Sequence, residues 1–185
     1  MQFHPHTVQL STGSALGPVR LAASPAGLCG VWFEGQCHEP AERLYGVRAW
    51  PQAPAHPVLR AAALQLQQYL TGQRSTFVDL PLDLSGGTAF QQSVWRGLLA
   101  IGHGATTSYG ALSRQLGCPR AVRALGAAVG RNPLSVVVPC HRVVGTDGSL
   151  TGYAGGLDRK RALLTLENAP LCARTPLAAA TQGIQ

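Results

Sequence analysis

The sequence predicts an α+β N-terminal domain, built from a small antiparallel sheet plus a helix. A mostly α C-terminal domain follows, carrying a winged-helix-like helix-turn-helix. Three observations predict this. Two apolar runs, Val19 to Ala23 and Leu28 to Phe33, flank the turn sequence Ser24-Pro25-Ala26-Gly27, the pattern of an antiparallel hairpin. Two short helical segments, Tyr109 to Leu116 and Arg120 to Gly130, flank Gly117-Cys118-Pro119, the pattern of a helix-turn-helix. The charge divides where the patterning does. Residues 1 to 89 carry five Arg against five acidic residues, whereas residues 90 to 170 carry nine basic residues against three acidic ones, so six of the seven net positive charges lie in the second half.

After the hairpin, Gly35 to Pro57 reads as irregular connection. Pro57, suited to a first helical position, opens a helix to about Leu70, with Leu59, Ala63, Leu66 and Leu70 on one face and Gln65, Gln67 and Gln68 outside. Gly72 ends it. Phe77 to Leu84 alternates in part between apolar and acidic residues and contains Pro81, which suits an edge strand. Ser85-Gly86-Gly87 then marks the boundary between domains 1–87 and 88–168, and Thr88 caps a helix over Ala89 to Ala100. The second helix of the helix-turn-helix is rich in small residues (Ala121, Ala124, Gly126, Ala127, Ala128), which permit close backbone approach either to a packed neighbour or to another surface. Val136-Val137-Val138 reads as a buried strand stopped by Pro139, which lacks the N–H a ladder needs. Gly155-Gly156 and Asp158 precede a last helix ending near Glu167, and residues 169–185 lack periodicity and read as a flexible tail.

With 185 residues, 45% of them hydrophobic and 12% charged, the chain is large enough for a well-buried core. A basic half beside a neutral one suits a face built for a polyanion, and fourteen of the fifteen basic residues are Arg, the better side chain for bidentate phosphate contacts. Five cysteines at irregular spacing make no disulfide framework and suit a reducing, cytoplasmic setting. There is no basic and apolar leader and no run of about 18 apolar residues, so a soluble protein with no membrane partner is expected. No Cys-x-x-Cys pair, His-x-x-x-His pair or phosphate-loop glycine pattern occurs, and His4, His6, Cys29, Cys37 and His38 lack ligand spacing. Neither metal nor cofactor is expected.

The chemistry concentrates in Pro139-Cys140-His141-Arg142-Val143. A lone cysteine is usually a small core hydrophobe. Cys140 differs because His141, Arg142 or helix N–H groups are placed to favour its thiolate if the chain turns just after Pro139. Adjacent side chains of an extended strand face opposite ways, so Cys140 and His141 cooperate only with such a turn. Glu167 is a candidate to orient His141. Asn132, before Pro133, either terminates a helix or reaches across to the nucleophile turn. Tyr109, Tyr153 and the glycines of Gly152 to Gly156 suit the wall of a pocket for a flat ring.

With these motifs at these spacings, the chain resembles the O6-alkylguanine-DNA alkyltransferases, densely over Thr88 to Glu167 and more loosely over residues 1 to 87. The resemblance implies a protein, expected as a monomer, that binds double-stranded DNA and flips out an O6-alkylated guanine. It then moves the alkyl group irreversibly to Cys140, with O4-alkylthymine as a second substrate. A thioether does not leave as an acyl thioester does, so the acceptor is consumed. It further implies that His141 deprotonates Cys140 through a water, Glu167 polarises His141, Asn132 buttresses the turn, and Tyr109 donates to guanine N3. Tyr153, Gly155, Val143 and Val129 would line the pocket. Arg123 would enter the duplex from a helix placed in the minor groove, with Arg120, Ala121, Ala124 and Arg131 against the DNA. Some relatives hold a structural zinc in the front domain, but Ser24 and Cys29 stand where that site needs ligands. Others carry a transcription-activating domain, for which this chain is too short, so repair without regulation is expected. Two rivals are a lesion-binding alkyltransferase-like protein, which lacks the acceptor cysteine, and a Cys-His hydrolase, which turns over.

Overall fold

Three short segments at the front of the chain pair into one antiparallel sheet, β1 (Val8–Thr12), β2 (Val19–Ser24) and β3 (Gly27–Phe33), in that order. The computed structural model describes residues 6–38, 50–77 and 79–170. The β2–β3 hairpin is the one expected, with Val19 opposite Phe33 and Leu21 opposite Val31. Its turn relies on Gly27, whose φ of +145° disfavours a side chain and whose missing Cβ admits the Pro81 carbonyl. β1 was not foreseen, although Val8 to Thr12 alternates. Its Leu10 lies opposite Leu21, and Gln9 ties it to the chain at Trp50 to Ala53 through three hydrogen bonds of 2.9 to 3.0 Å. One sheet face packs into the main core, while Ala22, Cys29 and Trp32 on the other are covered by Trp50.

Helix α1 (Pro57–Leu70) starts and ends as expected and covers the sheet with Leu59, Ala62, Leu66, Tyr69 and Leu70. Ala62 takes the core place expected of Ala63, which is half-buried. The edge strand expected over Phe77 to Leu84 does not form. Pro81 cannot donate, Asp79 has a φ of 55°, and among the described residues of this segment only Leu82 bridges to Leu28, with Leu28 N donating to Pro81 O at 2.7 Å and Asp83 N to Leu28 O at 2.8 Å. Val78, residues 39–49 of the expected irregular connection and residues 171–185 of the expected tail lie outside the described residues.

The second half begins with α2 (Ala89–Leu99), capped as expected by Thr88 in a reciprocal box with Gln91. It continues through β4 (Thr107–Ser108), α3 (Tyr109–Gln115), α4 (Val122–Gly130), a 3-10 turn (Cys140–Arg142), β5 (Val143–Val144) and α5 (Leu157–Leu166). Helix α4 begins two residues later than expected, because Pro119 and Arg120 belong to the turn and Ala121 is its cap. Asp158 sits inside the first turn of α5 rather than before it. Helices α2, α3 and α4 pack through Trp95, Leu98, Leu112 and Leu125 into the same core as Leu21, Val31 and Leu59, and Trp95 Nε1 donates to Ala128 O at 2.8 Å. Among the described residues no helix is long and apolar enough to cross a membrane.

The valine run is buried but is not a strand. Pairing with β3 stops at the Val31–Leu134 bridge, where Val31 has already exchanged both backbone bonds with Pro133 and Ser135. The chain then turns tightly, with Val138 N donating to Leu134 O at 2.8 Å. Val136 takes a φ of 72°, an arrangement that costs a β-branched residue about 1 to 3 kcal/mol. Burial of each valine returns about 1.5 to 3 kcal/mol, so β-branching serves packing here, not pleating.

Gly27→Ala should destabilise the protein by about 2 to 4 kcal/mol, read as a lower urea midpoint, because the added Cβ would lie 2.3 Å from Pro81 O. An unchanged midpoint would show that the Pro81 segment yields freely.

Candidate active site

Pro139 bends the chain with φ −81° and ψ 61°, an inverse γ-turn, and Cys140 N donates to Val138 O at 2.8 Å. One 3-10 turn follows at once, so the three side chains of Cys140–Arg142 fan out to different partners. The turn expected after Pro139 is present. Asn132 Nδ2 donates to Cys140 Sγ at 3.0 Å and to Val138 O at 2.8 Å, while Leu134 N donates to Asn132 Oδ1 at 3.0 Å. Asn132 therefore holds both the backbone of the turn and the sulfur.

Helix α5 brings the opposite side. Lys160, Leu163, Leu164 and Glu167 recur at i, i+3, i+4 and i+7 and are all buried, one helix face. Glu167, the C-cap residue, receives His141 Nε2 at 2.5 Å and Arg142 Nε at 2.9 Å. It also receives Gly104 N at 3.2 Å and the hydroxyl of Tyr69 from α1. Burial alone would raise its pKa, but the bonds from His141, Arg142 and Tyr69 together hold it down to about 2, so it is a carboxylate. Burial lowers His141 below the ordinary histidine value, against the pull of Glu167. The imidazole is therefore neutral near pH 7, with Nε2–H donating to Glu167. Its Nδ1 is buried and, among the described residues, receives no hydrogen bond. This leaves it free to take a proton.

Burial pushes the Cys140 thiol up, opposed by the Asn132 bond and by the charge of Lys160. Arg142, a candidate activator, is instead engaged by Glu167, Ile101 O and Tyr69. The nearby cation is Lys160, fully buried, whose Nζ donates to Val143 O at 2.6 Å and Thr151 O at 2.7 Å. Burial lowers its pKa to about 8. The resting thiol is thus protonated and needs a base. The arrangement supports one nucleophile, one neutral base and one orienting carboxylate.

The other expected residues fall into two groups. Tyr153 meets the His141 ring edge-on at 6.4 Å between centroids, its hydroxyl lies buried toward Ser135, and the Thr151 hydroxyl lies toward Tyr109. The parallel pairing of β4 with β5, Ser108 opposite Val144, sets half-buried Tyr109 beside the turn and over Gly126, where a Cβ would lie 3.8 Å from the ring. Val129, Val143 and Gly155 are buried nearby. Arg159 clamps the Tyr153 loop to the front sheet: it donates to Gly155 O at 3.0 Å and Leu16 O at 2.8 Å and lies 4.7 Å over the Phe33 ring. Arg120, Arg123, Ala124 and Arg131 are exposed and Ala121 is half-buried, so the small residues Ala124 and Ala127 face outward rather than into helix packing. A cavity of about 220 Å³ lies behind the turn, lined in part by Pro139, Arg142 and His103, and Cys140 does not line it. Sequence reasoning missed Lys160 and Tyr69. The seven-residue spacing from Lys160 to Glu167 was a signal for the first.

Two family models match the chain. That for the 6-O-methylguanine DNA methyltransferase DNA binding domain covers residues 89–169, and that for the ribonuclease-like domain of the same name covers residues 11–84. A methylated-DNA–protein-cysteine methyltransferase of Mycobacterium bovis is 45% identical over 154 residues, 83% of this chain and 88% of the relative. One from Haemophilus influenzae is 37% identical over 85% of this chain and 84% of its own length. The OGT of Mycobacterium tuberculosis in complex with DNA superposes with a TM-score of 0.75 at 42% identity, covering 89% of this chain and 95% of that one.

Asn132→Ala should raise the Cys140 thiol pKa further, because the thiolate loses its hydrogen bond from Nδ2. Iodoacetamide labelling of the Cys140 peptide across pH, followed by mass spectrometry, reads the shift. Superimposable profiles would reduce the 3.0 Å contact to packing.

Proposed function

The chain belongs to the 6-O-methylguanine DNA methyltransferase family, and from that premise we infer that it reverses O6-alkylguanine damage in duplex DNA by a single, irreversible transfer to Cys140. The observation that carries this reading is the thiol held by Asn132 beside a neutral His141 backed by Glu167. In the transfer, His141 Nδ1 takes the thiol proton through a water and the sulfur attacks the alkyl carbon. The carbon–O6 bond breaks, and its electron pair passes to the guanine, which recovers a proton. Tyr109 donates to guanine N3 as charge grows on the departing base. Tyr153, Gly155, Val143 and Val129 form the pocket. No step regenerates the thiol, since a thioether does not leave under cellular conditions.

The exposed basic, small-residue helix α4 supports the DNA-facing reading of residues 88–168. Arg123 enters the vacated stack, Ala121 and Ala124 allow close approach, and Arg120 and Arg131 meet phosphates. Flipping costs a few kcal/mol and is cheaper at a weakened pair, which favours lesions. O4-alkylthymine, with the same exposed alkyl ether, is a second substrate of this site. The four cysteines among the described residues are free thiols, which supports a reducing, cytoplasmic setting. A lesion-binding protein without an acceptor is disfavoured by Cys140 itself, and a Cys-His hydrolase by the family.

Incubation with a duplex containing O6-methylguanine should add one methyl group, about 14 Da, to the Cys140 peptide, and Cys140→Ser should abolish it. Repaired DNA with an unmodified Cys140 would sink the reading. Arg123→Ala should slow repair of duplex by at least about tenfold while leaving reaction with free O6-benzylguanine nearly unchanged. Equal losses on both substrates would remove Arg123 from the flipping step.

A further inference from the structure

Tyr69 belongs to the front half of the chain, on the face of α1 that packs on the sheet, yet its hydroxyl reaches the relay that serves Cys140. It donates to Glu167 Oε1 and accepts from Arg142 Nη2 at 3.2 Å. The ring is 1% exposed, stacked on Phe77 at 5.0 Å and met edge-on by His103 at 5.9 Å. Packing thus accounts for the ring but not for the hydroxyl. The two oxygens of Glu167 divide their donors. Oε2 takes Arg142 Nε and Gly104 N, whereas Oε1 takes Tyr69, His141 Nε2 and, at 3.4 Å, Arg142 Nη2. Tyr69 and His141 therefore compete for one carboxylate oxygen.

We propose that Tyr69 is a positioning residue of the transfer reaction, its hydroxyl fixing the Glu167 carboxylate and limiting how strongly that carboxylate draws on His141. The proposal rests on the reading of Cys140 as alkyl acceptor. A carboxylate oxygen bonded to two good donors is a weaker acceptor for each. With the tyrosine donor present, His141 keeps only part of the pull that would make it more basic, and its ring stays neutral to lower pH. Burial, with the bond to Glu167, pushes the Tyr69 hydroxyl well up, so it remains a donor across the working range. The charged and titratable groups around this relay are Arg142 from the nucleophile turn, Lys160 from α5, Tyr153 beside His141, and His103 at the edge of Tyr69. Of these, Arg142 already reaches Oε1 through Nη2 at 3.4 Å, longer than its 3.2 Å bond to the Tyr69 hydroxyl.

Tyr69→Phe keeps the ring, its volume and its stacking on Phe77 and removes only the donor. In the full chain this variant should retain its fold by circular dichroism and its affinity for a lesion-bearing duplex. The acid limb of its rate profile should move up by about one pH unit, a tenfold loss of rate on the acid side, equally for the duplex and for free O6-benzylguanine. A ring-difluorinated tyrosine in place of Tyr69, a stronger donor of the same shape, should move the limb down, and it decides the matter if the phenylalanine variant does not fold. A profile superimposable on that of the parent, or a loss confined to the duplex, would overturn the proposal. A parent protein that acquires no alkyl group at Cys140 would instead refute the reading on which it rests.

Discussion

A carboxylate buried at the junction of three segments organises this molecule. Glu167 is 2% exposed, and an ionised group taken out of water costs several kcal/mol unless its lone pairs are met. Tyr69 from α1, Gly104 from the loop after α2, and His141 with Arg142 from the nucleophile turn meet them. Each donor meets part of that charge, so these elements are held together by a single demand. Arg142 illustrates the trade. Its guanidinium sits next in sequence to His141, but its geometry goes to the carboxylate and Ile101 O, and the side chains that favour the thiolate are Asn132 and Lys160.

The thiol and its base are tuned in opposite directions by the same cause. Burial disfavours charge on both, raising Cys140 and lowering His141. Both groups are therefore neutral at rest. Asn132 and Lys160 lower the cost of forming the thiolate without making it the resting form.

Much of the fold was legible because local chemistry and tertiary demand agree. Ser24 to Gly27 has the turn residues a hairpin needs, Pro57 suits a helix start, and Thr88 suits a helix cap. The valine run misled because β-branched residues are also good filler for a buried turn, and no local signal distinguishes the two. β1 was missed because five alternating residues before Gly13 are a weak signal without a partner in view. At the site, Cys140, Asn132, His141 and Glu167 were legible from motif and resemblance, and the structure joins them in two pairs. Tyr69 was not, because in sequence it is one more apolar position of a helix, and its role depends on a partner 98 residues away. Lys160 reads as one surface charge among fifteen basic residues until α5 is seen to turn it inward.

The protonated, 4% exposed sulfur of Cys140 has a consequence for the lifetime of the protein as a reagent. A molecule that reacts once is lost if its thiol meets peroxide or a disulfide first, and such side reactions run through exposed thiolate. A thiol that rests protonated and buried is slow to oxidise between synthesis and first encounter with damage. The same burial that makes the nucleophile slow in isolation therefore preserves its shelf life.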